Sequence, residues 1–171
     1  MKIGRAAVAV LLAAGAIVLP AQGASALRYD GTDPDATGCG NSAYTPGSGG
    51  SFYKVVKGDH LVVGYLELRF SSSCMTAWAR VRSGQFECDY DINEYQNYYA
   101  GCHRATIYRS GSRVSYDCQI KPTRDRYGRI VYSDKCWTPQ VYDGSGYKAW
   151  ASASMQPNYP GEMTGTSTDL Y

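Results

Sequence analysis

Leu66-Glu67-Leu68-Arg69-Phe70-Ser71-Ser72-Ser73-Cys74-Met75-Thr76-Ala77-Trp78-Ala79-Arg80-Val81 alternates in character on both sides of a serine-rich step. Before the step, Leu66, Leu68 and Phe70 share one side of an extended chain, and Glu67 and Arg69 share the other. After it, Trp78, Arg80 and Arg82 oppose Ala77, Ala79 and Val81. A period of two marks a strand with one buried face. The spacing predicts strands over His60–Phe70 and Thr76–Arg82. The upstream part of the first groups Val62 with Leu66, and Leu61, Val63 and Tyr65 with Glu67, so its two faces differ clearly only near the end. Antiparallel pairing of these runs would set the Glu67 carboxylate against the Arg80 and Arg82 guanidiniums. An ordinary cross-strand ion pair is favoured over anion recognition, and an exposed one would contribute only about 0 to 1 kcal/mol.

The rest of the chain repeats this grammar. Ser83-Gly84 marks a turn. Ala105–Tyr108 and Arg113–Ile120 flank Ser110-Gly111-Ser112 as a hairpin, and a second hairpin between Cys118 and Cys136 turns at Tyr127-Gly128 and returns through Ile130, Val131 and Tyr132. Tyr147–Met155 gives a last strand, before a Pro-, Gly- and Thr-rich tail. Arg28–Gly50 is turn-rich, and Cys88–Cys102 keeps no hydrophobic period, which suits a loop or a distorted short helix. No amphipathic helix emerges. The fold class is all-β: a small disulfide-stapled β-barrel or sandwich with long irregular loops, one domain over residues 27–171 with a turn-rich N-terminal segment over about 27–59.

Residues 1–26 have the form of a secretory signal peptide, with Lys2 and Arg5 ahead of the apolar run Ala6–Leu19 and a small-residue cleavage step at Ala24-Ser25-Ala26. That run is too short to span a bilayer comfortably, and no lipid-accepting cysteine or hydrophobic tail supplies a stable membrane anchor. Export to the extracellular space is the expected address. Of 17 basic residues, Lys2 and Arg5 leave with the leader, and the remaining 15 balance 15 acidic ones. A neutral chain argues against nucleic acid as partner.

Leu, Ile, Val and Phe number only 20 after residue 26, while tyrosine appears 16 times. A thin core is the consequence, with tyrosine rings suited to half-buried strands. Six cysteines, Cys39, Cys74, Cys88, Cys102, Cys118 and Cys136, are an even number in an exported chain, and disulfides are their natural use. Fifteen pairings are open. Cys39 with Cys74, Cys88 with Cys102 and Cys118 with Cys136 is preferred, because the last two pairs each bracket a polar loop between strand-like runs. The absence of a Cys-x-x-Cys pair and the isolation of His60 and His103 disfavour a zinc site.

The segments Asp30-Gly31-Thr32-Asp33-Pro34-Asp35-Ala36-Thr37-Gly38-Cys39 and Leu66–Val81 together resemble the YjfA-like family of secreted proteins from Gram-positive bacteria, a domain of unknown function. The resemblance covers residues 29–82 and, more weakly, the final strand and tail. It implies a small exported β-rich domain and transfers no catalytic residue or cofactor. Relatives often carry a further cysteine just before the Asp-Gly step, where this chain has Arg28-Tyr29, so a bridge made there is missing.

Function is less legible. No Gly-x-Ser-x-Gly elbow exists, and cysteines held in disulfides leave no nucleophile for a His base. Asp30, Asp33 and Asp35 form a weak candidate for a hard cation, although aspartates beside Gly and Pro more often cap turns. Tyr90, Tyr95, Tyr98 and Tyr99, interleaved with Asp, Asn, Glu and Gln, are candidate ligand-binding residues, against the simpler role of covering the core. The basic stretch His103–Arg129 carries seven Lys or Arg against Asp117 and Asp125, and Glu87–Glu94 carries four acids, so the two could face each other or form a dipolar surface. The leading expectation is a non-catalytic module that binds an extracellular glycan, a cell-wall component or a secreted protein. An inhibitor of a secreted hydrolase is the alternative. A secreted hydrolytic enzyme, to be tested at His103 or Glu67, is third.

Overall fold

In the computed structural model, residues 27–47, 52–57, 61–84, 103–155 and 164–171 are described. Two short 3₁₀ turns (Leu27–Tyr29 and Cys39–Ser42) precede the strands β1 (Ala43–Tyr44), β2 (Phe52–Lys57), β3 (Leu61–Ser71), β4 (Thr76–Ser83), β5 (His103–Arg109), β6 (Ser115–Gln119), β7 (Pro122–Arg124), β8 (Ile130–Tyr132), β9 (Lys135–Trp137), β10 (Val141–Tyr142), β11 (Ala149–Met155) and β12 (Thr164–Ser167). All pairings are antiparallel. One sheet is built on the long β3–β4 hairpin: β1 and β2 share the free edge of β3, and β9 and β10 share that of β4. The second sheet runs β12-β11-β5-β6, and β7–β8 form a separate small hairpin. The two larger sheets are open and pack face to face, which settles the choice between barrel and sandwich in favour of the sandwich.

The β3–β4 hairpin forms for the reason its alternation suggested. Leu66, Leu68, Phe70, Ala77, Ala79 and Val81 turn inward and meet Ala105, Ile107, Ile120, Ala149, Ala151, Ala153 and Met155 from the other sheet. Among the described residues six core positions are alanine, so small side chains help make up for the scarcity of aliphatic residues. Among the tyrosines packed against this core, Tyr116 and Tyr171 lie at its margin. Tyr171 sits with Phe70 at 5.2 Å between ring centroids, and its hydroxyl meets that of Tyr44 at 3.2 Å, closing one end of the sandwich.

One expectation needs correction. Uniform alternation over His60–Phe70 placed Val63 with Glu67, but Val63 is in the core with Leu66. A bulge is the cause: Val55 pairs with Gly64 while Val56 pairs with Val62, so β3 carries one extra residue there and its phase flips. Gly64 is required at that point, since a Cβ would lie 2.8 Å from both the Arg82 carbonyl and the Met155 sulfur. The turn-rich segment 27–59 also contributes β1 and β2, and the Thr-rich tail supplies β12 as an edge strand on β11. Edge pairing asks only for backbone groups and tolerant β-branched residues, a weak signal in sequence.

Disulfides join Cys39 to Cys74 and Cys118 to Cys136. The first ties the N-terminal region to the β3–β4 turn. The second links β6 of one sheet to β9 of the other. Cys88 and Cys102, with the tyrosine candidates Tyr90, Tyr95, Tyr98 and Tyr99, lie outside the described residues, as do residues 1–26, where the sequence predicts a signal peptide.

Candidate functional site

The outer face of the six-stranded sheet carries a cluster of charge that alternation put there. Tyr65, Glu67 and Arg69 project from β3, and Arg80 and Arg82 from β4, because the residues between them are held in the core. Register sets Glu67 opposite Arg80 and Tyr65 opposite Arg82. The Glu67 residue is only 3% exposed, so its carboxylate is a buried charge that needs partners. It has them. Arg80 donates through Nε at 3.0 Å and through Nη2 to Oε2, while Arg82 donates through Nε at 2.9 Å and Nη2 at 2.8 Å to Oε1. Arg82 also lies over the Tyr65 ring at 5.1 Å.

Arg69 completes the group. It donates to Thr45 Oγ1 at 3.0 Å and to the Ala43 carbonyl at 2.8 Å, and burial, followed by the neighbouring Arg80 charge, lowers its pKa. On the flanking strands, Lys54 pairs in register with Tyr65, Lys135 with Arg82, and Trp137 with Arg80. Lys54 and Lys135 are exposed. Among the described residues the face thus holds five cations, Lys54, Arg69, Arg80, Arg82 and Lys135, around the Glu67 carboxylate, with Tyr65 and Trp137 among them. The end of the face beyond Trp78 is closed: Thr76 donates to Gln140 Oε1 at 2.6 Å, and Gln140 Nε2 donates to Thr32 and Thr37 at 2.9 Å, fastening the N-terminal turns down.

Those turns also place the three aspartates. Asp30 accepts from Arg109 and from the Tyr142 N–H at 2.6 Å. Asp33 Oδ1 accepts from the Asp35 N–H at 2.8 Å and from the Trp137 indole at 3.4 Å. Asp35 is exposed, and no group of three His, Cys, Asp or Glu side chains among the described residues is placed to share an ion. In the basic stretch His103–Arg129, Arg104 pairs with Asp117, Arg109 with Asp30 and Arg129 with Asp125, while the acidic run Glu87–Glu94 lies outside the described residues. His103 is 1% exposed on the core side, its Nε2 3.1 Å from the Val63 carbonyl oxygen, whereas Glu67 lies on the outer face. The structure therefore does not bring these two together.

This face gathers positive charge, and its residues fall within a stretch that matches a known family. Residues 27–152 match the family described as a protein of unknown function (DUF2690). The chain belongs to this family. A relative, "Uncharacterized protein YjfA" of Bacillus subtilis (strain 168), is 32% identical over 117 residues, which is 67% of this chain and 63% of the relative. The chain thus spans under two thirds of the length of that curated relative. No solved structure matches. Since DUF2690 carries no assigned activity, function has to be argued from the face itself.

A second buried carboxyl, Asp143, sits behind β10, where its N–H donates to the Met75 carbonyl at 2.9 Å. One of its oxygens is buried with no hydrogen-bond partner. Burial raises its pKa to about 7, against the opposing effects of the Ala149 N–H and Lys148. A carboxyl with a raised folded-state pKa contributes fully below its unfolded value, near 3.8, and loses that contribution as pH climbs through 7. Stability should fall between pH 4 and 8 by roughly 2 kcal/mol from this group, after allowance for solvent screening. Asp143→Asn should flatten that slope in urea denaturation at pH 5 and pH 8. An unchanged slope would reject the assignment.

Proposed function

We propose that this protein is an exported, non-catalytic binding module that engages an extracellular or cell-wall component through the outer face of the six-stranded sheet. The observation that carries the reading is the gathering of five cations about the buried Glu67 in a chain with only 17 basic residues against 15 acidic ones. Forming such a cluster works against mutual repulsion, and an anionic ligand would relieve it. Aromatic rings set among the cations add contact area at little entropic cost. The two disulfides suit an oxidising compartment.

The test has two parts. Protein secreted by a producing host should begin near Leu27, as read by intact mass. Purified protein should be retained on whole cell walls and on an insoluble acidic polysaccharide at low salt, and be released as ionic strength rises. Protein that passes through every such matrix would sink the reading.

A further inference from the structure

The register of the sheet adds a direction to this face. Lys54 pairs with Tyr65, Tyr65 with Arg82 and Arg82 with Lys135, so four strands present one straight row of side chains at right angles to their own axes. Adjacent strands lie about 4.8 Å apart, so the row is roughly 14 Å long. Its order is cation, ring, cation, cation. Arg82 is held upright in it, since two of its nitrogens are fixed on Glu67 and its guanidinium rests on Tyr65. The side chain remains 41% exposed. No ion pair occupies Lys54 or Lys135 among the described residues.

From this juxtaposition we infer that the ligand is a linear acidic polysaccharide, which lies across the strands along the row Lys54–Tyr65–Arg82–Lys135. The inference rests on the binding reading above and deepens it. A polymer with one carboxylate on each sugar repeats its charge at roughly the spacing of the strands, about 5 Å, so over four sugars the carboxylates of the first, third and fourth meet Lys54, Arg82 and Lys135, and the second sugar lies at Tyr65. A sugar ring between them presents its C–H face to Tyr65, a contact that a bare phosphate chain lacks. The side of the Arg82 guanidinium that Glu67 leaves open can still donate to a carboxylate. Glu67 plays a positioning part: it orients the arginine forks and is not itself a ligand contact.

The experiment uses the secreted full domain and three soluble probes: polygalacturonate, neutral dextran and inorganic polyphosphate matched in charge. The wild type should bind polygalacturonate, ignore dextran and bind polyphosphate more weakly. Arg82→Gln combined with Lys135→Gln should weaken polygalacturonate binding about tenfold, the sum of two exposed charge contacts. It should also flatten the dependence of log affinity on log salt. Arg80 keeps Glu67 paired in that variant, so an unchanged circular-dichroism melt is the check on folding. Arg104→Gln, on the outer face of the other sheet, should leave binding intact. A double variant that binds polygalacturonate like the wild type, or polyphosphate bound as tightly as polygalacturonate, overturns the inference while the broader binding reading stands. Failure of the wild type to bind any of these polymers or cell walls overturns both.

Discussion

Replacing Glu67 by Ala is expected to cost about 3 kcal/mol or more of folding stability, an unusually large effect for a charged residue on the outer face of a sheet. The cause is burial. With the carboxylate gone, Arg69, Arg80 and Arg82 are left as neighbouring, partly desolvated cations with nothing between them. A surface ion pair would be worth under about 1 kcal/mol, so the measured number separates the two descriptions. Exchanging Glu67, Arg80 and Arg82 together for apolar residues of similar volume should recover much of the loss, because the unpaired charges go too. Urea denaturation of the single and triple variants is the measurement. A loss below about 1 kcal/mol for Glu67→Ala would show that water already screens the cluster.

The second large effect concerns the crosslinks. In the chain-entropy view, a bridge over a sequence separation of 35, Cys39 to Cys74, contributes about 4 kcal/mol, and one over 18, Cys118 to Cys136, about 3. Together they rival the net stability of an ordinary domain, about 5 to 15 kcal/mol. Changing all four of these cysteines to serine should therefore remove the cooperative thermal transition or lower it by tens of degrees. The single-bridge variants should differ in kind. Loss of Cys118–Cys136 frees the two sheets from each other, whereas loss of Cys39–Cys74 releases the N-terminal turns from the β3–β4 end. Calorimetry, with hydrogen exchange to locate the loosened region, checks both. A four-serine variant that melts like the parent would mean that the alanine-lined core suffices.

Much of the fold was legible because alternation is a local signal. The β3–β4 hairpin, the Glu67–Arg80 pairing and the inward set Leu66, Leu68, Phe70, Ala77, Ala79 and Val81 follow from period two alone. What broke the rule was one added residue: the bulge at Val63 cannot be told from continuous alternation until the partner strand is known. β1, β2 and β12 were hidden because edge strands demand little of their side chains. The site was hidden for another reason. Net charge sums over the chain and cannot report that Lys54 and Lys135, 81 positions apart, stand in the same row as Arg82. Alternation did predict the outer face of β3 and β4, but with the cluster read as an ordinary ion pair.

The way the six-stranded sheet is bordered has a practical corollary. Its long central pair is flanked on either side by two short strands laid end to end, β2 with β1 and β9 with β10, in place of one continuous margin. A neighbouring molecule seeking to add a strand would find only brief, interrupted runs of unpaired amides, and on β2 and β9 lysines beside them. Among the described residues, two copies therefore have little opportunity to zip together along these two edges. Concentrated solutions of this protein should remain clear where a sheet with a long, flat rim would gel.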